Sequence, residues 1–125
     1  MTTLFKDGAF TSHSGKVLPF KIDCDALNGE DLFCLAEYAS THLIAPFRRV
    51  IGVPRGGLRF ASILENFIDR HVSNELIVDD VFTTGKSMEH ERNGYCWYSG
   101  LVIFARAPTP AWITPIFTLS GSVRA

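Results

Sequence analysis

The sequence predicts a single-domain α/β protein in which helices flank a mostly parallel β-sheet, and three observations lead to this class. Short apolar runs typical of buried strands lie at residues 49–53, 76–78 and 101–105. A helical pattern follows the first run, and a short polar helix is expected after the second. Strands that alternate with helices are typical of parallel sheets with right-handed crossovers. A chain of 125 residues is also long enough for one core, so we expect one domain over residues 1–125.

The remaining elements follow from local signals. Residues 10–23 have the pattern of a surface β-hairpin with a Ser-Gly-Lys turn. A helix is predicted to begin near Asn28, with acidic residues in its first turn, and to end before Pro46. Residues 112–119 are expected to form an edge strand, since Pro115 cannot donate a hydrogen bond to a β-ladder.

A glycine-rich loop follows the first predicted strand. It consists of Pro54, Arg55, Gly56 and Gly57. The two glycines allow a ligand to approach the backbone closely, and Arg55 offers a planar set of donors suited to phosphate oxygens. An Arg-Gly-Gly turn of this kind also occurs for purely structural reasons, so alone it is weak support for an anion site.

The second loop is more informative, because a buried strand leads directly into two adjacent carboxylates, Asp79 and Asp80. Carboxylates at this place can hold sugar hydroxyls or a divalent cation. The residues that follow combine hydroxyls, a glycine and the expected start of a helix, which suits an anion. They are Val81, Phe82, Thr83, Thr84, Gly85, Lys86 and Ser87. A phosphorylated ribose fits this arrangement, whereas the structural alternative is an acid pair that only caps the helix.

The segment from Leu76 to Ser87 resembles the signature of the type I phosphoribosyltransferases, which bind 5-phosphoribosyl-1-diphosphate. The resemblance implies that Asp79 and Asp80 contact the ribose and that residues 81–87 wrap the 5′-phosphate. It also implies that Pro54 to Gly57 bind the pyrophosphate, with Mg²⁺ held at the acid pair and Arg55 assisting catalysis. A branched aliphatic residue is usual at the position of Phe82.

The N-terminal segment is similar to the opening motif of orotate phosphoribosyltransferases, in which it forms a hood over the base. The matching elements are Phe-Thr, Ser-Gly-Lys, a proline followed by an aromatic residue, and a closing Asp. The resemblance implies a hood over residues 1–25, an α/β core over residues 26–125, and base contacts from His13, Lys16, Phe20 and Lys21. His13 replaces an expected lysine, and Lys21 and Ile22 replace an aromatic pair. A surface hairpin without a role in base binding is the alternative.

About twenty residues separate Gly57 from Asp79, and one helix and one strand use nearly all of them. Members of the family have a further strand and a long flexible loop here, which closes over the diphosphate and excludes water. We therefore predict a reduced sheet that keeps the ligand cradle and lacks the lid.

The net charge, the apolar stretches and the cysteines limit the classes of partner and the cellular compartment that we expect. The net charge of −1 argues against nucleic acid or an anionic membrane as the main partner, and no apolar stretch is long enough to span a bilayer. The residues Cys24, Cys34 and Cys96 are widely spaced among apolar neighbours, which predicts buried free thiols and a cytoplasmic protein. The residues Glu89 and His90 point in different directions on their helix, and we expect a solvated face there.

Two functions are consistent with these sequence features. The first is a phosphoribosyltransferase, a cytoplasmic homodimer in pyrimidine nucleotide biosynthesis, which would transfer the phosphoribosyl group to an orotate-like nucleobase and release pyrophosphate. The second is a phosphoribosyl-diphosphate or nucleotide-binding module, acting as a sensor or subunit, which lacks the catalytic lid. The hood motif favours the first function and the missing lid favours the second.

Overall fold

The structure is a computed structural model that describes residues 5–11 and 17–119, with the backbone alone described up to residue 22. The strands are β1 (Phe5–Thr11), β2 (Val17–Ile22), β3 (Arg49–Gly52), β4 (Glu75–Phe82), β5 (Tyr98–Ala105) and β6 (Ile113–Thr118). The helices are α1 (Gly29–His42), α2 (Leu58–Leu64) and α3 (Lys86–Arg92), with 3₁₀ turns at Cys24–Ala26 and Glu65–Phe67.

The main sheet contains four parallel strands in the order β3-β4-β5-β6, and β1 and β2 form a separate antiparallel hairpin. In the four-stranded sheet, Ile51 of β3 pairs with Ile77 of β4, and Val78 of β4 pairs with Leu101 of β5. The strand β6 lies at one edge as predicted, with Pro115 beside Val102. The α/β class with a mostly parallel sheet and flanking helices is confirmed.

The two faces of the sheet carry separate apolar clusters. On one face, α1 and α2 pack against Leu76, Val78 and Leu101. On the other face, Met88 of α3 packs against Ile77 and Val102. Neighbouring residues of a strand point to opposite faces, so one strand supplies both clusters.

The crossover geometry differs from the prediction. Strands β3, β4 and β5 succeed one another in one direction, but α2 and α3 lie on opposite faces of the sheet. Two crossovers that move in the same direction over opposite faces have opposite handedness. The expectation that both crossovers are right-handed is therefore wrong. In open parallel sheets the helices usually change face where the strand order reverses. Here α2 and α3 lie on opposite faces although the described strands follow one another without a reversal.

Helix α1 begins where the sequence predicts. The side chain of Asn28 accepts a hydrogen bond from the backbone N–H of Asp31 at 2.8 Å, and the Asp31 carboxylate accepts from the Asn28 N–H at 3.0 Å. This reciprocal pair is a capping box, which satisfies two backbone donors that the helix cannot pair internally. The helix ends at His42, before Pro46.

The connection between β3 and β4 is fully described and contains α2, a 3₁₀ turn and a short turn over residues 68–74. That turn is held at the amino ends of the strands, because the N–H of Asp69 donates to the Phe47 carbonyl at 2.8 Å. The Asn74 amide nitrogen also donates to the Pro46 carbonyl, at 3.2 Å. No further strand and no long loop lies in this interval, as predicted.

Exposure corrects the prediction for the cysteines. All three are free thiols, but Cys34 and Cys96 are exposed and only Cys24 is half-buried. Cys34 lies on the outer side of α1, and Cys96 lies in the loop between α3 and β5. Within the described residues, no helix has the length and apolar character needed to cross a membrane.

Candidate functional site

The glycine-rich loop closes on itself directly after β3. The N–H of Val53 donates to the Val78 carbonyl at 2.9 Å, and the N–H of Gly57 donates to the Val53 carbonyl at 2.8 Å. Gly57 has no room for a side chain, because an added Cβ would meet the backbone of Val53 and Val78. The peptide bond between Pro54 and Arg55 is cis, and Arg55 is exposed. The loop is therefore packed against the backbone of β4.

The acid pair lies inside β4 and not after it. The strand continues to Phe82, and Asp79 pairs with Val102 of the neighbouring strand. The expected end of the strand at the carboxylates is therefore incorrect. Asp79 Oδ1 accepts the N–H of Asp80 at 2.8 Å, and Asp80 Oδ1 accepts the N–H of Val81 at 2.7 Å. These local hydrogen bonds orient each carboxylate toward the N–H of the residue that follows it.

The glycine-rich loop and the acid pair meet at one point. A Cβ added to Gly56 would overlap the Asp80 carboxylate, so the backbone of Gly56 lies directly against that side chain. The two segments are 24 positions apart in sequence, and the parallel pairing of β3 with β4 brings their carboxyl ends together. The residues assigned to pyrophosphate and to ribose by resemblance are therefore neighbours in space.

The loop after the acid pair turns at Gly85, whose φ of 80° lies in the left-handed region that favours glycine. The ring of buried Phe82 packs against Gly85, and an added Cβ would lie 2.6 Å from its Cε2. Thr84 Oγ1 accepts the N–H of Lys86 at 3.4 Å, and α3 then begins without a side-chain cap. The Phe82 ring thus packs against the turn at Gly85, which explains why a large side chain is accommodated at position 82.

Burial and charge raise two pKa values at this point. The pKa of Asp79 is raised to about 8, first by burial and then by the hydrogen bond and charge of Asp80, although the Asp80 N–H opposes this. The pKa of the Cys24 thiol is raised to about 12 by burial and by surrounding carboxylates, among which Asp80 contributes most. At neutral pH the Asp79 carboxyl is therefore mostly protonated, and Cys24 is a neutral thiol.

An open cavity of about 350 Å³ lies beside these loops. Its lining residues are Val53, Pro54, Lys86, Ser87, His90 and Glu91. The cavity joins the start of the glycine-rich loop to the start of α3, but the acid pair does not line it. The centre of the candidate site is the contact of Gly56 with Asp80, because the two loops meet there. The cavity forms the part of the site that lies next to α3.

Three residues near the site were not assigned a functional role from the sequence. His90 and Glu91 line the open cavity, and His90 is exposed, in agreement with the predicted solvated face. Cys24 is half-buried, and burial together with the charge of Asp80 raises the pKa of its thiol. No sequence signal identified Cys24, since its proximity depends on how the chain returns after the hairpin. For the cavity residues, the four-residue spacing of Lys86 and His90 on one helix was an available signal.

The predicted base contacts are only partly within the described structure. His13 and Lys16 lie outside the described residues. Phe20 and Lys21 lie in β2, for which only the backbone is described. The base-binding assignment therefore stays a prediction.

The donor chemistry at Asp79 and Asp80 suits a hard cation such as Mg²⁺, which is typically bound through one or two carboxylates together with water and substrate phosphates. Within the described residues, no group of three His, Cys, Asp or Glu side chains could hold a metal. The acid pair therefore fits a cation shared with a phosphorylated ligand better than an ion enclosed by protein alone.

Comparison with solved structures identifies the fold. Orotate phosphoribosyltransferase from Aeropyrum pernix matches with a TM-score of 0.69 and 22% identity, over 92% of this chain and 88% of that chain. The UMP synthase of Leishmania donovani matches with a TM-score of 0.71 and 22% identity, over 93% of this chain. The fold is that of the type I phosphoribosyltransferases. It is orotate phosphoribosyltransferase-like.

The fold is also similar to that of an adenine phosphoribosyltransferase. Adenine phosphoribosyltransferase from Leishmania donovani matches with a TM-score of 0.66 and 11% identity, over 94% of this chain and 78% of that chain. The chain spans 34% of the length of the UMP synthase. No protein-family model and no curated protein sequence matches it.

Proposed function

We propose that this protein is a minimal phosphoribosyltransferase that transfers the 5-phosphoribosyl group of phosphoribosyl diphosphate to an orotate-like nucleobase. One observation carries the proposal: the backbone of Gly56 lies against the Asp80 carboxylate. A pyrophosphate on residues 54–57 and a ribose on the acid pair would then be adjacent, as they are within one molecule of the diphosphate sugar. The phosphoribosyltransferase fold supports the proposal.

The reaction requires little covalent participation by the protein. The bond between C1′ of the ribose and the pyrophosphate oxygen breaks, and its electron pair leaves with pyrophosphate. A ring nitrogen of the nucleobase, whose proton leaves to solvent, then forms the new bond to C1′, which carries positive charge in the transition state. Asp79 and Asp80 hold the ribose hydroxyls, and the exposed guanidinium of Arg55 balances the charge of the leaving group.

A Mg²⁺ ion at Asp79 and Asp80 would neutralise phosphate charge and assist departure of pyrophosphate. The raised pKa of Asp79 makes its carboxylate neutral below about pH 8 in the unliganded protein. A cation would favour its ionised form, so loading the site with cation and ligand should release a proton.

The missing lid favours a second function, a binding module for phosphoribosyl diphosphate or a nucleotide. The interval between β3 and β4 holds only α2, a 3₁₀ turn and a turn at the opposite end of the strands. Without a lid, water has access to the ribose carbon, and the diphosphate sugar is bound more weakly. Pyrophosphate release that depends on a nucleobase would distinguish transfer from binding alone. The homodimer and the cytoplasmic location remain predictions.

The first test is calorimetric titration of phosphoribosyl diphosphate with Mg²⁺. We expect binding to the wild-type protein, at least tenfold weaker binding to Gly56→Ala, and none to the double variant Asp79→Asn with Asp80→Asn. An alanine at position 56 must displace the Asp80 carboxylate, which is a movable side-chain end, so the fold should survive. Gly29→Ala is the matched control, because an added Cβ there meets nothing within 4 Å.

The result decides among the functions. Equal affinity of Gly56→Ala and wild type would contradict the proposed junction of the two loops. Absence of heat for wild type at millimolar ligand, where about 4 kcal/mol of binding free energy suffices for detection, would exclude transfer and binding together. If binding occurs, a screen of orotate and other bases for pyrophosphate release follows.

A further inference from the structure

Arg59 joins two segments that are far apart in sequence. Its Nη2 donates a hydrogen bond to the Leu27 carbonyl at 2.8 Å, and its Nη1 lies 4.0 Å from Asp25 Oδ1. Arg59 is the second residue of α2. Asp25 lies in the 3₁₀ turn that follows β2, and Leu27 is the residue directly after that turn. The side chain therefore connects the start of α2 to the turn that follows the hairpin.

The carbonyl contact is the stronger part of this connection. The Asp25 side chain is 89% exposed and its contact lies at the distance limit of an ion pair, so solvent screens it strongly. The hydrogen bond to Leu27 is short, and a charged donor strengthens it. A guanidinium has several donors in one plane, and can contact the carbonyl and the carboxylate together.

Both ends of the connection adjoin the candidate site. Helix α2 begins directly after Gly57, the last residue of the glycine-rich loop. The 3₁₀ turn begins at Cys24, two positions after β2 ends, and Cys24 packs against the core cluster. Arg59 itself follows Gly56 by three positions, and the Gly56 backbone lies against the Asp80 carboxylate. The turn that Arg59 contacts is thus joined to the loop that touches the acid pair.

We propose that Arg59 is a positioning residue that sets the place of the β1–β2 hairpin relative to the acid pair by fastening the 3₁₀ turn to α2. The turn is the first described segment after the hairpin, so its attachment limits where the base of the hairpin lies. This inference rests on the proposed function in one respect: the hairpin is taken as the cover of the base.

The attachment itself can be tested without any activity. At pH 8, we expect iodoacetamide to alkylate Cys24 slowly in the wild type, because the thiol is half-buried and its pKa is about 12. Arg59→Met removes the donors and should raise the Cys24 rate at least tenfold. Arg59→Lys keeps one donor group and should give an intermediate rate. Peptide mass spectrometry resolves Cys24 from the exposed thiols Cys34 and Cys96.

The control is Arg70→Met, which removes another exposed arginine, for which the described residues supply no hydrogen bond or ion pair. Its Cys24 rate should equal that of the wild type. An unchanged Cys24 rate in Arg59→Met would overturn the proposal. A rise at Cys24 that is matched by a loss in the free energy of unfolding measured with urea would also overturn it, because Arg59 would then support the whole fold. The exposed Cys34 and Cys96 should react at their wild-type rates in either case. If Arg59→Met does not fold, Arg59→Lys supplies the same comparison.

The positioning role has a kinetic signature. With a nucleobase that supports pyrophosphate release, Arg59→Met should raise the KM for the base at least fivefold and leave the KM for phosphoribosyl diphosphate within twofold. Equal increases in both KM values would contradict a role confined to the hairpin. If no nucleobase supports release, transfer fails as the function, while alkylation of Cys24 still decides whether Arg59 fastens the turn.

Discussion

At the scale of single residues, the acid pair shows how burial changes chemistry that the sequence suggests. Asp79 and Asp80 are adjacent on one strand and both are half-buried. Burial is the largest reason why the charged form of Asp79 is disfavoured, and the hydrogen bond and charge of the adjacent Asp80 add to it. The pKa of Asp79 is thereby raised to about 8. The site is thus suited to a ligand or cation that supplies positive charge.

This raised pKa predicts a particular pH dependence of stability. Between the ordinary value of 3.8 and about 8, the folded protein holds a proton on Asp79 that the unfolded chain has released. Stability from this residue is therefore complete at low pH and is lost as the pH rises through 8. We expect Asp79→Asn to melt at a higher temperature than wild type at pH 8, and near the wild-type temperature at pH 4.

Thermal melts by circular dichroism between pH 4 and pH 9 measure this difference. Glu37→Gln, on the exposed side of α1, serves as the control for loss of one carboxylate. An Asp79→Asn variant that is less stable than wild type at pH 8 would show that the carboxylate is ionised and favourably placed.

At the scale of elements, the three helices differ in how their N-termini are capped. Helix α1 has a complete capping box, whereas α2 and α3 begin at glycines without a side-chain cap. The starts of α2 and α3 are the places where the two candidate loops end. A cap there would occupy the backbone donors that an anion needs. The capped helix lies outside the candidate site.

Asn28→Ala should therefore lower stability without changing ligand binding. Loss of an N-cap side chain typically costs about 1 kcal/mol. We expect that decrease in the free energy of unfolding measured with urea, together with unchanged affinity for phosphoribosyl diphosphate. Asn28→Asp keeps an accepting oxygen at the cap and should retain most of the stability. A loss in Asn28→Asp as large as in Asn28→Ala would show that the Asn28 side chain acts through other contacts.

At the scale of the whole molecule, the sheet is unevenly covered. The residues of β5 from Gly100 to Ala105 are buried, whereas no residue of β3 is fully buried. The strand β3 is at the edge of the described four-stranded sheet, and parallel strands are ordinarily covered on both faces. The shortened connection between β3 and β4 explains this, because it places no further strand outside β3.

Hydrogen exchange should reproduce this asymmetry. We expect backbone amides of residues 49–53 to exchange at least tenfold faster than those of residues 100–105, because an edge strand opens without disturbing the core. Exchange measured by mass spectrometry, with light scattering on the same sample, tests this. Slow exchange over residues 49–53 in a dimer would show that a second copy covers β3, and the same result in a monomer would contradict the prediction.

The sequence by itself was sufficient for the features that depend on neighbours along the chain. The alternation of strands and helices, the edge position of Pro115 and the start of α1 at Asn28 were predicted because hydrophobic periodicity, proline chemistry and helix caps act over a few residues. The loss of the lid followed in the same way from the short interval between Gly57 and Asp79. The end of β4 was placed too early, because the pairing of Asp79 with Val102 overrides the local preference of carboxylates for loops.

Tertiary structure alone decided the features that unite distant segments. The contact of Gly56 with Asp80, the hydrogen bond from Arg59 to Leu27 and the opposite faces of α2 and α3 depend on strand register and packing, which no local pattern encodes. The raised pKa of Asp79 has the same origin, since burial is a property of the assembled sheet. The sequence thus determined which chemical groups are present, and the fold determined which of them meet, because the groups of a site are brought together only when the strands pair.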